Sequence, residues 1–229
     1  AALDTPYLYR DVDHLMKVMD VNSPVMQELN EGLIDAANVR VLYAHYFGTR
    51  QLTANQEVKS PADLAGVKIR AVPFPIYTTA VEGMGAVAVP VDWSEVPTAL
   101  ATGVVAGQEN PVNVILSVKL FEVQDYLMQT GHMSNAEVIV MNEDTWQGLT
   151  DAQKAAIEAA ALETRERATK AILDNEAAET DALREKGMTV IGPDEGLDIA
   201  AFRASVDKLV DERFGEKYGA LYEKIRAVQ

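Results

Sequence analysis

The chain has 229 residues, of which 48% are hydrophobic, 24% charged and 7% aromatic, a length that suits two modest lobes as well as one large domain and a composition typical of globular proteins. Its formal net charge of −15, carried by acidic residues spread along the chain, would repel phosphate backbones and anionic membrane surfaces and argues against nucleic acid as a partner. Without cysteine there are no disulfides, thiolate metal sites or cysteine nucleophiles, and no window approaches the roughly 18–20 apolar residues of a membrane-crossing helix.

Short apolar runs alternate with helical patterns, which predicts an α/β fold. The predicted strands are Val39–Tyr43, Val67–Val72, Val87–Val89, Val123–Met128, Val138–Met141 and Thr189–Ile191. Between them, Ser60-Pro61 opens a short helical turn, and Asp92 or Ser94 precedes a helix over Glu95–Ala101. In the stretch TALATGVVAGQENPVN, Thr98 to Asn113, that helix runs into a short apolar strand, and the strand ends in three polar residues, Gln108, Glu109 and Asn110, before Pro111. Thr150 and Gln153 form a capping-box pattern that opens the longest helix, which meets no proline or glycine before Gly187. At about 1.5 Å per residue it would extend roughly 50 Å, longer than one lobe is wide, so it is expected to bridge two lobes; a break near Asp174-Asn175 would instead give two packed helices.

Several side chains in this pattern have the chemistry of an anion site. In AGVKIRAV the strand period of two places Lys68 and Arg70 on one face and Val67, Ile69 and Ala71 on the other. An arginine there either snorkels to solvent, pairs with a surface carboxylate, or grips an anion. Arg50, after aromatics and a glycine in HYFGTRQLT, has the same choice between a loop salt bridge and an anion contact. Trp93 stands where an aromatic acts as a hydrophobic staple or as a wall for a ligand ring, and Asn110 before Pro111 is also a common turn residue. No enzyme signature accompanies them. GMGAVA follows a helix rather than a strand and so fails as a dinucleotide fingerprint; P-loop and nucleophile-elbow motifs are absent, and His14, His45 and His132 lack metal-ligand spacing.

Taken together, SPADLAGVKIRAV, GMGAVAVPVDWSEVPTALATGVVAGQENP and KLFEVQDYLMQTGH, spaced from Ser60 to His132, resemble the substrate-binding proteins of tripartite ATP-independent periplasmic (TRAP) transporters, the DctP-type family. The helical pattern extends the resemblance over essentially the whole chain. It implies a two-lobed, Venus-flytrap α/β protein of the periplasm, monomeric, with neither cofactor nor metal, that captures a small organic acid and delivers it to a membrane permease. Carried over residue by residue, it implies that Arg70 salt-bridges the ligand carboxylate, Arg50 assists, Trp93 lines the pocket and Asn110 hydrogen-bonds the ligand. Tyr77 offers a second aromatic face. The polar cluster after the strand would then be the part delivered to the cleft, with Pro111 fixing the turn that aims it.

The chain departs from the family pattern in three places. Ala106 stands where the family has aspartate and Pro97 where it has tyrosine, and an N-terminal stretch of about a third of this chain's length again is expected to be missing from lobe one. By the family pattern, residues 1–47 and 136–175 form lobe one, and residues 48–135 and 176–229 form lobe two. The alternatives are an α/β enzyme using Glu109, Asp92 or His132 for acid–base work on a small carboxylate, and an interaction protein docking through the long acidic helix.

Overall fold

The structure, a computed structural model, describes residues 2–229; Ala1, the first residue of the expected lobe one, lies outside them. In chain order the main elements are helices α1 (Val12–Val18) and α2 (Pro24–Ala37), strand β1 (Val39–Ala54), β2 (Lys68–Ala71), α3 (Pro75–Gly83), β3 (Val87–Pro90), α4 (Val96–Ala101), β4 (Gly107–Pro111) and α5 (Val112–Ser117). They are followed by β5 (Tyr126–Asn142), α6 (Glu143–Gln147), α7 (Asp151–Glu185), β6 (Thr189–Ile191) and α8 (Ile199–Arg226). Ser60-Pro61 opens a single 3-10 turn, Pro61–Leu64, closed by Asp63 accepting from the Ser60 backbone at 2.8 Å.

The six strands form one mixed sheet in the order β3-β2-β4-β1-β5-β6. β2 runs parallel to both β3 and β4, β5 runs parallel to β6, and β1 is antiparallel to its neighbours β4 and β5. Helices cover both faces, as side-chain alternation requires of a sheet buried twice. Met128 and Ile191 point into the larger core, with Leu52, Ile69, Phe202 and Val206, while their neighbours Leu127 and Val190 point into a smaller core with Val96, Leu100, Ile115 and Leu183.

Three boundaries differ from the sequence reading. Val39–Tyr43 continues to Ala54, because Arg50–Ala54 finds partners on both sides, in β4 and β5. Tyr126–Met128 and Val138–Met141 belong to one 17-residue strand, Val123–Asp125 lying before it; in its middle Met133–Asn135 pairs with Gly48–Arg50, and Gln129–His132 bulges opposite Gln51, whose Oε1 accepts from Gly131 N at 2.8 Å. The apolar residues Val104-Val105 are not the strand before the polar cluster; the cluster is itself the strand, and all five residues of β4 are buried. α8 had no signal in the sequence reading.

The long helix is unbroken. Thr150 Oγ1 accepts from Gln153 N at 3.3 Å and Gln153 Oε1 accepts from Thr150 N at 2.9 Å, and 35 residues follow without interruption. α7 is tied to β1 where Thr169 Oγ1 accepts from Tyr46 N at 3.2 Å and where Tyr46 donates its hydroxyl to Glu176 at 2.6 Å. α8 lies along α3, with Val206 against Gly83, and its far end reaches the first residues of the chain: Ile225 O lies 3.0 Å from His14 Nε2, and Tyr222 accepts from Thr5 at 2.9 Å.

Two glycines permit the close approaches around β4. A Cβ on Gly48, whose φ is +135°, would lie 2.6 Å from Pro111 Cβ. A Cβ on Gly107 would lie 2.1 Å from Thr53 O and 2.8 Å from Ile69 Cδ1. Gly107→Ala is therefore expected to push β4 off its neighbours and destabilise the protein by about 1–3 kcal/mol, seen as a lower urea midpoint at unchanged slope.

Candidate anion-binding site

The carboxyl ends of parallel strands β2, β3 and β4 lie together, the place where open α/β sheets bind ligands. Register decides which side chains arrive there and from which face. Ile69 pairs with Gly107, so Arg70 shares a face with Gln108 and Asn110, toward α4. Arg50 pairs with Pro111, so it shares the opposite face with Glu109, toward α3. The two arginines thus reach the same rim from the two sides of the sheet.

Arg50 is paired within the protein through Nε and Nη2. Its Nε donates to Glu109 Oε2, and its Nη2 donates to Glu109 Oε1 at 2.9 Å and to the Glu109 carbonyl at 2.6 Å. The Tyr77 ring covers it, with the centroid 5.2 Å from Cζ. Behind this pair, His132 Nε2 lies 3.0 Å from Glu109 Oε2, and His132 Nδ1 lies 2.8 Å from Thr130 Oγ1. Glu109 and His132 are 1% and 0% exposed. Burial pushes the Glu109 carboxyl up, but the Arg50 charge and the His132 and Arg50 hydrogen bonds outweigh it and hold its pKa at about 2, below the ordinary 4.5. Burial likewise pulls Arg50 down, and Glu109 more than restores it, so its proton is held more tightly than usual.

Arg70 is the contrast. It is 2% exposed, its Nε donates to Val91 O at 2.9 Å, and the Trp93 ring lies 5.7 Å from Cζ. Among the described residues, no carboxylate lies within salt-bridge distance of it, and its two terminal nitrogens donate to nothing. Burial and the like charge of Arg50 lower its pKa, against the raising influence of Glu109 and Asp92. Trp93, at 42% exposure, is not stapled into the core; it opens the 3-10 turn ahead of α4 and stands over the guanidinium. Asn110 donates to Gln108 Oε1 at 2.5 Å, and Gln108 is held in turn by Thr53 at 3.1 Å. Pro111 then ends the strand and opens α5.

The structure therefore brings the expected residues together as two groups, Arg70 with Trp93 on the face that also carries Asn110, and Arg50 with Tyr77 on the other. Arg50 and Tyr77 also line a pocket of about 310 Å³ with Asp4, Phe47, Asn135, Ala136 and Glu137, three of them polar or charged residues that the sequence pattern does not single out. A second cavity of about 430 Å³ lies elsewhere, between β1, α6 and α7, and both its arginines are occupied: Arg40 by Glu143 at 2.6 Å and Arg165 by Asp20 at 2.7 Å. Among the described residues no cluster of three or more His, Cys, Asp or Glu is placed to hold a metal ion.

A sheet covered on both faces, with a guanidinium that has no internal carboxylate partner at the carboxyl rim of its parallel strands, is an α/β architecture whose rim can receive a small anion. Comparison with known proteins narrows this: residues 1–217 match the family model described as bacterial extracellular solute-binding protein, family 7 (DctP), and the chain belongs to this family of TRAP solute-binding proteins. It is 32% identical over 211 residues to the sialic acid-binding periplasmic protein SiaP of Vibrio cholerae, covering 92% of this chain and 64% of that one. It is 33% identical over 213 residues to the 2,3-diketo-L-gulonate-binding periplasmic protein YiaO of Escherichia coli, covering 93% and 63%. A solved TRAP periplasmic solute-binding protein from Roseobacter denitrificans with bound L-galactonate superposes with a TM-score of 0.87 at 31% identity, over 98% of this chain and 73% of that one. The chain thus spans a little under two thirds of the length of these two curated relatives.

Proposed function

We propose that the protein is the periplasmic receptor of a TRAP transporter, that it captures a small organic acid at the β2-β3-β4 rim, and that it hands the acid to a membrane permease as a monomer. The observation that carries this reading is Arg70: a cation held by the Val91 carbonyl, with no internal counter-ion and with terminal nitrogens that make no protein hydrogen bond and keep access to the rim, so that an external carboxylate can take both of them. The relatives support it by what they bind, a sialic acid, a diketo-gulonate and a galactonate, each an organic acid.

In this reading Arg70 clamps the carboxylate, Trp93 and Tyr77 wall the cleft, Asn110 presents a polar contact, and Arg50 supplies charge at the rim while Glu109 holds it in place. The proposed lobes are residues 1–47 with 136–175 and residues 48–135 with 176–229. The crossing after Phe47 falls on a register shift between Tyr46 and Gly48, an irregularity suited to a hinge. α8 touches both parts, so its far end would couple them. Nothing favours acid–base catalysis through Glu109 and His132, which are locked together away from solvent.

The test is thermal unfolding with C4-dicarboxylates, 2-oxo acids, sugar acids, aromatic acids and ectoine-like zwitterions. An acid present at a hundred times its Kd is expected to stabilise the fold by about 2.7 kcal/mol, roughly 5–10 °C in a chain of this size, and to be recovered chemically unchanged. No upshift with any acid, or conversion of the acid, would overturn the reading.

A further inference from the structure

Asn110 stands at the end of a line of buried amides whose hydrogen bonds all run in one direction. At the far end, Gln124 Nε2 donates to Val123 O at 2.9 Å, to Ala106 O at 3.3 Å and to Asn55 Oδ1 at 3.2 Å. Backbone carbonyls only accept, so the amide nitrogen must face them and Gln124 Oε1 must face the other way. There it accepts from Thr53 Oγ1 at 2.8 Å. A hydroxyl has a single proton, and with that proton engaged Thr53 Oγ1 accepts from Gln108 Nε2 at 3.1 Å. Gln108 Oε1 in turn accepts from Asn110 Nδ2 at 2.5 Å.

This order leaves no freedom at its near end. Turning over any one amide would set nitrogen against nitrogen or oxygen against oxygen between side chains that are each 1% exposed or less, as Gln124, Thr53 and Gln108 are. Asn110, 6% exposed, is the member that reaches the rim; its Oδ1 makes no hydrogen bond among the described residues and keeps access to solvent. Arg70 stands on the neighbouring strand and on the same face, with its two terminal nitrogens equally unused. Thr53 near the end of β1 and Gln124 ahead of β5 are too deeply buried to touch a captured molecule themselves.

We infer that Gln124, Thr53 and Gln108 are positioning residues of the binding site, a relay that holds the Asn110 carboxamide in one orientation, oxygen outward, beside Arg70. This rests on the carboxylate-capture reading above, in which Asn110 contacts the acid. A carboxamide free to turn over would present donor and acceptor by turns and would have to be ordered on binding. One held by the relay is ordered beforehand, so that its Oδ1 and its one remaining Nδ2 proton keep fixed places against the bound acid.

The experiment has two arms. In the first, the side-chain amide protons of the isotope-labelled protein are followed by NMR with no acid present. Those of Asn110 are expected to exchange with solvent about tenfold or more slowly than those of the exposed Asn22, and Thr53→Val, which keeps the outline of the side chain but not its hydroxyl, should erase the difference. In the second, L-galactonate and D-erythronate are titrated calorimetrically into the parent, Thr53→Val, Thr53→Ser, Asn110→Ala, the Thr53→Val/Asn110→Ala double variant and Arg70→Ala, with melting temperatures recorded for each. Thr53→Val is expected to lower affinity about tenfold, and Thr53→Ser, which restores the hydroxyl, to stay within about threefold of the parent. Once Asn110→Ala has removed the carboxamide, adding Thr53→Val should weaken binding less than about twofold further, whatever it does to the melting temperature. Asn110 protons that exchange as fast as those of Asn22 in the parent overturn the inference, as does a Thr53→Val loss that is as large without the Asn110 carboxamide as with it. If Arg70→Ala leaves affinity intact while the coupling between positions 53 and 110 persists, the carboxylate clamp fails and the relay stands. If the parent binds neither acid, the first arm decides alone: protons held in the parent and released by Thr53→Val support the relay, and protons free in the parent overturn it.

Discussion

Arg70→Ala is expected to weaken binding of the captured acid by about thirtyfold to several thousandfold, the equivalent of about 2–5 kcal/mol. The size follows from the geometry. A planar guanidinium offers two parallel donors to a carboxylate, the Trp93 ring stands over it, and the Val91 carbonyl holds Nε so that little rotamer freedom is lost on binding. The same geometry predicts an unusual companion result. Because no internal carboxylate pairs with Arg70, its removal leaves no orphaned anion behind, and burial already penalises its charge. The unliganded protein should therefore melt no lower in Arg70→Ala than in the parent, within about 2 °C, even as affinity collapses. Arg70→Lys keeps the charge but not the fork and should recover only part of the affinity. Calorimetric titration read beside the melting curves separates these effects; a large fall in both would mean that the arginine is structural.

How much of this was legible before the structure depended on whether the signal was local. α7 was readable as one helix because its start is a capping box and its length holds neither glycine nor proline, all features of contiguous sequence. β2, β3 and β6 were readable from short apolar runs. β4 was not, because Gln108, Glu109 and Asn110 are polar residues made buriable by partners far along the chain: Thr53 for Gln108, and Arg50 and His132 for Glu109. A hydropathy pattern records the polarity and not the partner. The joined length of β5 was hidden for the same reason, and α8 was hidden because Gly215 and Gly219, both helix-weakening, fall inside it, even though Phe214 and Tyr218 continue its apolar stripe from Val210 to Tyr222.

The site divides along the same line. Arg50, Arg70, Trp93, Tyr77 and Asn110 were nominated from sequence, Tyr77 from its aromatic face and the others through a multi-block family resemblance, but their division of labour was not. The resemblance gave the two arginines similar duties. Register separates them: Arg50 falls diagonally across from Glu109 and is engaged by it, while Arg70 lies one face over with nothing acidic in reach. Asp4 and Asn135 carried no nominating pattern at all, since each is an ordinary polar residue until β5 and the first turn meet.

Glu109→Gln is the change expected to damage the fold most. It removes the carboxylate that two buried groups share and leaves the Arg50 charge, on a side chain only 5% exposed, without its paired counter-ion. Breaking one partner of such a pair costs about 3–5 kcal/mol, which at 2–4 °C per kcal/mol is roughly 6–20 °C in melting temperature for a chain of this size. The sign with pH follows from the depressed carboxyl. Held at about 2 when folded and near 4.5 when unfolded, Glu109 contributes stability that is fully present above pH 4.5 and is lost as pH falls toward 2; the shift corresponds to roughly 3 kcal/mol. The glutamine variant has no such proton to take up, so the gap between parent and variant should be widest at pH 6–7 and close progressively below pH 4.5 in urea unfolding. Replacing both partners, as in Arg50→Leu with Glu109→Leu, should cost less than the two single changes added together, because neither charge is then left alone. A gap that is as wide at pH 3 as at pH 7 would mean that the lost energy is shape rather than charge, and that Arg50 is positioned by packing against Tyr77 instead of by Glu109.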